Sequence, residues 1–98
     1  MPGIIAFQDF ELDEPRFELR RAGELVHVQP KVLRLLFYLA EHRQRSVSTQ
    51  ELLGALWPGE RVTVASIKRA VGGARRALGE SAQSQASIRT VRGHGYQF

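Results

Sequence analysis

Apolar residues fall near every second position in four short runs, at 4–7, 10–12, 17–20 and 24–28. Such alternation predicts strands with one buried face. Asp-Glu-Pro-Arg at 13–16 and Arg-Ala-Gly at 21–23 separate the middle runs, and both are turn-forming. The first 28 residues therefore predict a small antiparallel meander, with Phe10/Leu12 and Phe17/Leu19 facing the core. The opposite face is mixed in sign, which fits a platform better than a binding surface.

The apolar spacing then lengthens to the helical period. Pro30 lacks an N–H where a first helical turn does not need one, and residues 30–42 predict a helix. Its apolar arc (Val32, Leu33, Leu35, Leu36, Phe37, Leu39 and Ala40) is so wide that neighbours must cover more than one side. A brief strand is expected at 45–47. Ser-Thr-Gln-Glu at 48–51 then has the form of a capping box. In it Ser48 caps the Glu51 amide, the Glu51 carboxylate reaches back to the Ser48 amide, and Val47 and Leu52 staple the start. A second helix over 49–57 buries Leu52, Leu53 and Leu56 and is stopped by Pro58-Gly59. Trp57, at its end, reads as a partly buried core residue.

Residues 63–79 predict a third helix, between an N-cap at Thr63 and a left-handed stop at Gly79. At ~100° per residue, Ile67, Val71, Ala74 and Leu78 share one face, with Ala70 and Ala77 beside it. Ala65, Arg69, Gly72, Gly73 and Arg76 share the other, with Ser66 at one edge and Lys68 and Arg75 at the opposite edge. Taken alone, this is also the pattern of an ordinary solvated amphipathic helix. The small polar stretch 80–87 reads as a flexible loop. Residues 88–91 and 96–98 are strand-like around a Gly93-His94-Gly95 turn, a terminal hairpin with Arg92 near its tip. Two short helices joined by a turn, the second one basic, and then a basic hairpin have the outline of a winged helix.

Charge sharpens this outline. The net charge is +4, but residues 1–60 carry seven Lys/Arg against nine Asp/Glu, while residues 61–98 carry seven against Glu80 alone. A basic surface gathered around the third helix and hairpin points to a polyanionic partner. With no cysteine there is no disulfide framework and no thiolate metal site. No signal peptide or membrane-length apolar run is found, so a cytoplasmic location with no membrane contact is expected. His27, His42 and His94 lack metal-ligand spacing. Gly93-His94-Gly95 lacks a dinucleotide-binding continuation. No nucleophile, base and orienting acid assemble, so no enzyme, cofactor or metal is expected.

Four segments make the chain resemble the winged-helix DNA-binding domain of OmpR/PhoB-type bacterial transcription regulators. They are Q-P-K-V-L-R-L-L-F-Y-L-A-E-H, V-S-T-Q-E-L-L-G-A-L-W-P, R-R-A-L-G and I-R-T-V-R-G-H-G-Y-Q-F. The resemblance implies an α+β fold: a four-stranded N-terminal antiparallel sheet over 4–28, a three-helix core over 30–79 and a C-terminal β-hairpin wing over 88–98. It implies sequence-specific binding of double-stranded DNA in transcription regulation, in response-regulator-like proteins of two-component systems. The third helix, 64–78, would enter the major groove and Arg92 the adjacent minor groove.

Position by position, the resemblance places Ala65, Ser66, Arg69, Ala70 and Gly73 toward bases, and Arg75 at a phosphate with Arg76 as its exposed neighbour. Lys68 and Gly72 complete the outward surface. Thr90, Arg92 and Tyr96 stand at wing contacts, and Ser48 and Thr49 where the second helix meets the backbone. The loop 56–63 corresponds to one that touches RNA polymerase in some members, and pairing on tandem DNA sites is a further implication. Gly72 and Gly73 depart from the polar or basic residues common there. Close approach to DNA and drift both account for them. Ala65 and Ala70 cannot hydrogen-bond a base edge, which leaves Arg69 and Ser66 as readers and gives shape readout a large share. The domain starts about four residues after Met1, too soon for a preceding receiver, which leaves a stand-alone domain or, the preferred expectation, the N-terminal piece of a longer protein. The competing reading of the same fold is a protein-docking module.

Overall fold

The computed structural model describes residues 3–80, 83 and 87–98. Strands β1 (Ile4–Phe7), β2 (Phe10–Asp13), β3 (Glu18–Arg21) and β4 (Glu24–Val26) form an antiparallel meander in chain order. Helices α1 (Pro30–Glu41), α2 (Thr49–Leu56) and α3 (Val64–Ala77) follow. A second sheet has the order β5-β7-β6, from β5 (Val47–Ser48), β6 (Arg89–Val91) and β7 (Gly95–Gln97). This is the winged helix expected from the pattern. The expected flexible loop at 80–87 lies largely outside the described residues.

The two-residue period explains the meander. Ile5, Leu12, Leu19 and Val26 stand opposite one another across its four strands and form one inward row. Leu12 and Leu19 are fully buried in a core cluster with Leu35, Leu36 and Leu39 of α1, Leu52 of α2, and Ile67 and Val71 of α3. The wide apolar arc of α1 is covered by α2, α3 and the sheet together, as its width requires.

Phe17 departs from the expected pattern. The Asp13 carboxylate accepts the Arg16 amide (3.2 Å) and the Glu14 carbonyl accepts the Phe17 amide (3.0 Å), so the turn extends through Phe17 at φ +53°. Its ring is 41% exposed and stacks on Phe37 at 5.6 Å instead of entering the core. A side-chain-capped turn outcompetes the alternation at that one position.

The brief strand forms at 47–48 and becomes the third strand of the wing sheet, with Val47 opposite Tyr96 and Ser48 opposite Gly95. The capping box is half made. Ser48 Oγ accepts the Glu51 amide at 3.0 Å, but the Glu51 carboxylate turns away to take both guanidinium nitrogens of Arg45 (2.9 and 2.7 Å) and the Tyr38 hydroxyl. A bidentate charge-assisted pair outweighs a single neutral amide. Thr63 makes no side-chain cap; its carbonyl accepts the Ser66 amide instead. Trp57 is buried, whereas Leu53 is only half-buried.

Candidate nucleic-acid interface

α3 stands as a ridge. Ile67, Ala70, Val71 and Ala74 face the core, while Val64, Ala65, Lys68, Arg69 and Arg76 are exposed and Ser66, Gly72 and Gly73 half-exposed. Ala70 therefore belongs to the buried face and not to the outward one. The five ion pairs among the described residues all use carboxylates from the first 60 positions: Asp9, Asp13, Glu18, Glu51 and Glu60. Lys68, Arg69 and Arg76 of α3 and Arg92 of the wing enter none of them. The charge separated along the sequence is separated in space as well: the exposed cations of the ridge and wing enter no ion pair among the described residues.

The two helical glycines differ. A Cβ on Gly73 would approach Val32 Cγ2 of α1 at 3.3 Å, so this glycine lets α1 and α3 pack closely. At Gly72 the nearest neighbour of a Cβ is the mobile end of Arg76, at 3.5 Å. Close packing inside the domain thus accounts for Gly73, and only Gly72 remains a surface feature.

Arg75 is turned inward, a correction to the exposed edge and phosphate contact expected of it. It is 7% exposed. Its Nε and Nη2 donate to the Ile88 carbonyl at 3.3 and 2.9 Å, and Nη2 also donates to Thr90 Oγ1 at 3.0 Å. Arg75 follows Ala74 and lies one turn after Val71, so it projects at the margin of the buried face, and the entry to β6 covers that margin. A helical projection puts Arg76 in the outward arc and Arg75 only at its edge; whether that edge is covered is decided by a different part of the chain. Tyr96, also expected at the DNA surface, is 7% exposed and sits in the core cluster.

The wing turns at Gly93 (φ +70°), with the His94 amide on the Val91 carbonyl at 3.0 Å and Arg92 exposed at the tip. The Thr49 amide donates to the His94 carbonyl at 3.3 Å, which ties the wing tip to the first turn of α2. Thr49, Val64, Lys68, Thr90, Val91 and His94 thereby line one cleft beside the α3 ridge. On the opposite flank a second groove is lined by His27, Lys31, Ser66, Arg69, Gly73 and Arg76. Of the expected site residues, Thr49, Lys68, Thr90 and Arg92 gather on the wing side and Ser66, Arg69 and Arg76 along the ridge. The Ser48 hydroxyl is occupied as the α2 cap. The loop after α2 is anchored by Lys31, which donates to the Leu56 carbonyl (2.6 Å), lies 5.4 Å over the Trp57 ring and pairs with Glu60 at 3.7 Å. Pro58, Gly59, Glu60 and Arg61 are exposed.

Arg45 and Tyr38 hold the Glu51 carboxyl down at about 2, Arg45 contributing most. A carboxylate depressed in the folded state stabilises it above its unfolded value, ~4.3, and loses that contribution as pH falls through its folded value. Wild-type stability should therefore decline between about pH 4.5 and 2. Glu51→Gln should be less stable than wild type at neutral pH and show a flatter decline, as thermal melts across that range would measure.

Among the described residues no three His, Cys, Asp or Glu side chains group to hold a metal ion, and no helix is long and apolar enough to cross a membrane. The family model described as transcriptional regulatory protein, C terminal, matches residues 23–98. The chain is 32% identical over 101 residues to the transcriptional regulatory protein CseB of Streptomyces coelicolor, covering 98% of this chain and 39% of that protein. It thus spans about two fifths of that relative's length. It superposes on the response regulator DrrB of Thermotoga maritima, an OmpR/PhoB homologue, with a TM-score of 0.90 at 26% identity, covering 98% of this chain and 44% of that one. On the RstA DNA-binding domain of Klebsiella pneumoniae, solved in complex with the RstA box, the TM-score is 0.85 at 26% identity, covering 97% of this chain and 95% of that one. With its fold, its ridge and wing and its matched residues in agreement, the chain belongs to the OmpR/PhoB-type family of transcriptional regulatory protein C-terminal domains, a family of regulators and not of enzymes.

Proposed function

We propose that the domain binds double-stranded DNA sequence-specifically in transcription regulation, with α3 in the major groove and Arg92 of the wing in the adjacent minor groove. The observation that carries this reading is the set of cations on the ridge and wing, Lys68, Arg69, Arg76 and Arg92, which enter no ion pair among the described residues. A protruding helix fits a major groove ~12 Å wide, and the guanidinium of Arg69 can make a bidentate contact to guanine there. Ser66 flanks Arg69, Ala65 offers an apolar surface to a thymine methyl, and Lys68 and Arg76 suit phosphates. Thr49 and Thr90 line the cleft where a backbone strand would pass. Similarity to the RstA domain, which was solved with its DNA box, supports the same reading.

The test is a titration with duplex DNA over a series of salt concentrations. Log affinity should fall linearly with log salt, by ~0.9 per phosphate neutralised, with about three to six contacts for a module of this size. A slope near zero would refute DNA binding. A second reading, docking on RNA polymerase through 56–63, draws on the exposed loop that Lys31 anchors at its base. Docking there would be insensitive to loss of Arg69 or Arg92.

A further inference from the structure

The last 38 residues carry one carboxylate side chain, Glu80, among seven basic ones. An anion on the half of the domain assigned to DNA opposes binding to a polyanion. The fold gives it a different task. α3 ends in a Schellman cap: the Gly79 amide donates to the Arg76 carbonyl at 3.0 Å and the Glu80 amide to the Arg75 carbonyl at 2.8 Å, with Gly79 at φ +71°. From this cap the Glu80 carboxylate accepts the Ser87 amide (3.0 Å to each oxygen) and the Ile88 amide (3.2 Å). Arg75 holds the Ile88 carbonyl from the other side. The residue that leads into the wing is thus gripped through both its N–H and its C=O by the end of α3. The Gln8 amide group donates to Ser87 Oγ at 2.9 Å and ties the same point to the β1–β2 turn.

We propose that Glu80 is a positioning residue for DNA binding, which clamps the start of the wing to the end of α3 and so fixes the offset between the recognition helix and Arg92. The proposal rests on the assignment of α3 and Arg92 to adjacent grooves. An arginine presented at a fixed offset loses little conformational freedom on insertion, whereas a loosened hairpin must be ordered at the moment of binding. Glu80 itself contacts no DNA.

The sign of the effect separates this role from charge. Glu80→Ala and Glu80→Gln each remove a negative charge, and electrostatics alone predicts tighter binding to every duplex. Positioning predicts roughly tenfold weaker binding to a duplex recovered by selection from random sequence, and little further loss once Arg92→Ala has removed the group being positioned. The experiment titrates that duplex, at one salt concentration and well below the thermal midpoint, against wild type, both Glu80 variants, Arg92→Ala and the double variants. Should Glu80→Ala fail to fold, Glu80→Gln, which keeps the volume and one acceptor oxygen, carries the comparison. Binding as tight as wild type or tighter, or an equal loss with and without Arg92, overturns the proposal. Absence of salt-sensitive binding by wild type would instead refute the DNA reading beneath it.

Discussion

Gly95→Ala should be among the most destabilising single-methyl additions in this domain. A Cβ built on Gly95 overlaps the Val47 carbonyl oxygen and lies 2.8 Å from the Ser48 Cα. Both neighbours are backbone of the paired strand β5, where Ser48 stands opposite Gly95, so no side chain can swing aside. Overpacking costs typically 1–3 kcal/mol and occasionally more, and a collision with backbone belongs at the top of that range. A loss of ~3 kcal/mol in a domain of this size lowers the thermal midpoint by roughly 12–24 °C. Relief requires β7 to part from β5, which also strains the contact between the Thr49 amide and the His94 carbonyl. Gly93→Ala is the matched control. Its φ is +70° but nothing lies within 4 Å of a Cβ there, so its cost is the left-handed conformation alone, ~1–2 kcal/mol. If Gly95→Ala melts no lower than Gly93→Ala, the close pairing of β5 with β7 is wrong.

Arg75→Met should lower stability by about 1–3 kcal/mol, the cost of leaving a buried polar group without its partner. Methionine keeps much of the apolar stem, but the carbonyl of the fully buried Ile88 loses both donations from Arg75, and Thr90 Oγ1 loses the one it receives from Arg75. Arg76→Met changes an exposed residue that enters no ion pair among the described residues, and its stability should stay within ~0.5 kcal/mol of wild type. On DNA the order reverses. Arg76→Met should reduce the salt slope by about one phosphate contact, while Arg75→Met should leave the slope nearly unchanged and weaken binding by loosening the wing. Denaturant unfolding of both variants, paired with salt titrations, checks this. Unchanged stability in Arg75→Met with a reduced slope would restore Arg75 as a phosphate contact.

The architecture is legible where a pattern is repeated and local. Leu12 and Leu19 stand opposite each other in the inward row of the meander, and both are fully buried. Ser48 caps Glu51 three residues on, within one helical turn. The misses arise where a residue's partner comes from elsewhere in the chain. Glu51 has a nearby amide available but is taken by Arg45 and Tyr38 across the α1–β5 corner. Arg75 reads as an edge residue open to solvent until Ile88 and Thr90 are brought over it. Gly95 reads as part of a turn, yet it is a strand residue whose missing side chain makes room for Val47. Gly73 reads as outward-facing until α1 places Val32 beside it. In the candidate site, the exposed cations could be named from the helical projection and the turn. Supports such as the buried Arg75 and Tyr96 and the half-buried Glu80 are defined only once wing and helix are assembled.

If α3 and the wing take different grooves, as proposed, binding-site selection on wild type, Arg69→Ala and Arg92→Ala at one salt concentration will separate their roles. Arg69 is exposed along the ridge, where a bidentate guanine contact would contribute ~1–3 kcal/mol of discrimination. Its loss should lower affinity and relax the preference at one or two base pairs. Arg92 is exposed at the wing tip, where a narrow A/T-rich minor groove concentrates negative potential but offers a degenerate base pattern. Its loss should weaken A/T-flanked sites most and leave the core motif as it is in wild type. A core motif altered by Arg92→Ala and unaffected by Arg69→Ala would contradict the placement of helix and wing.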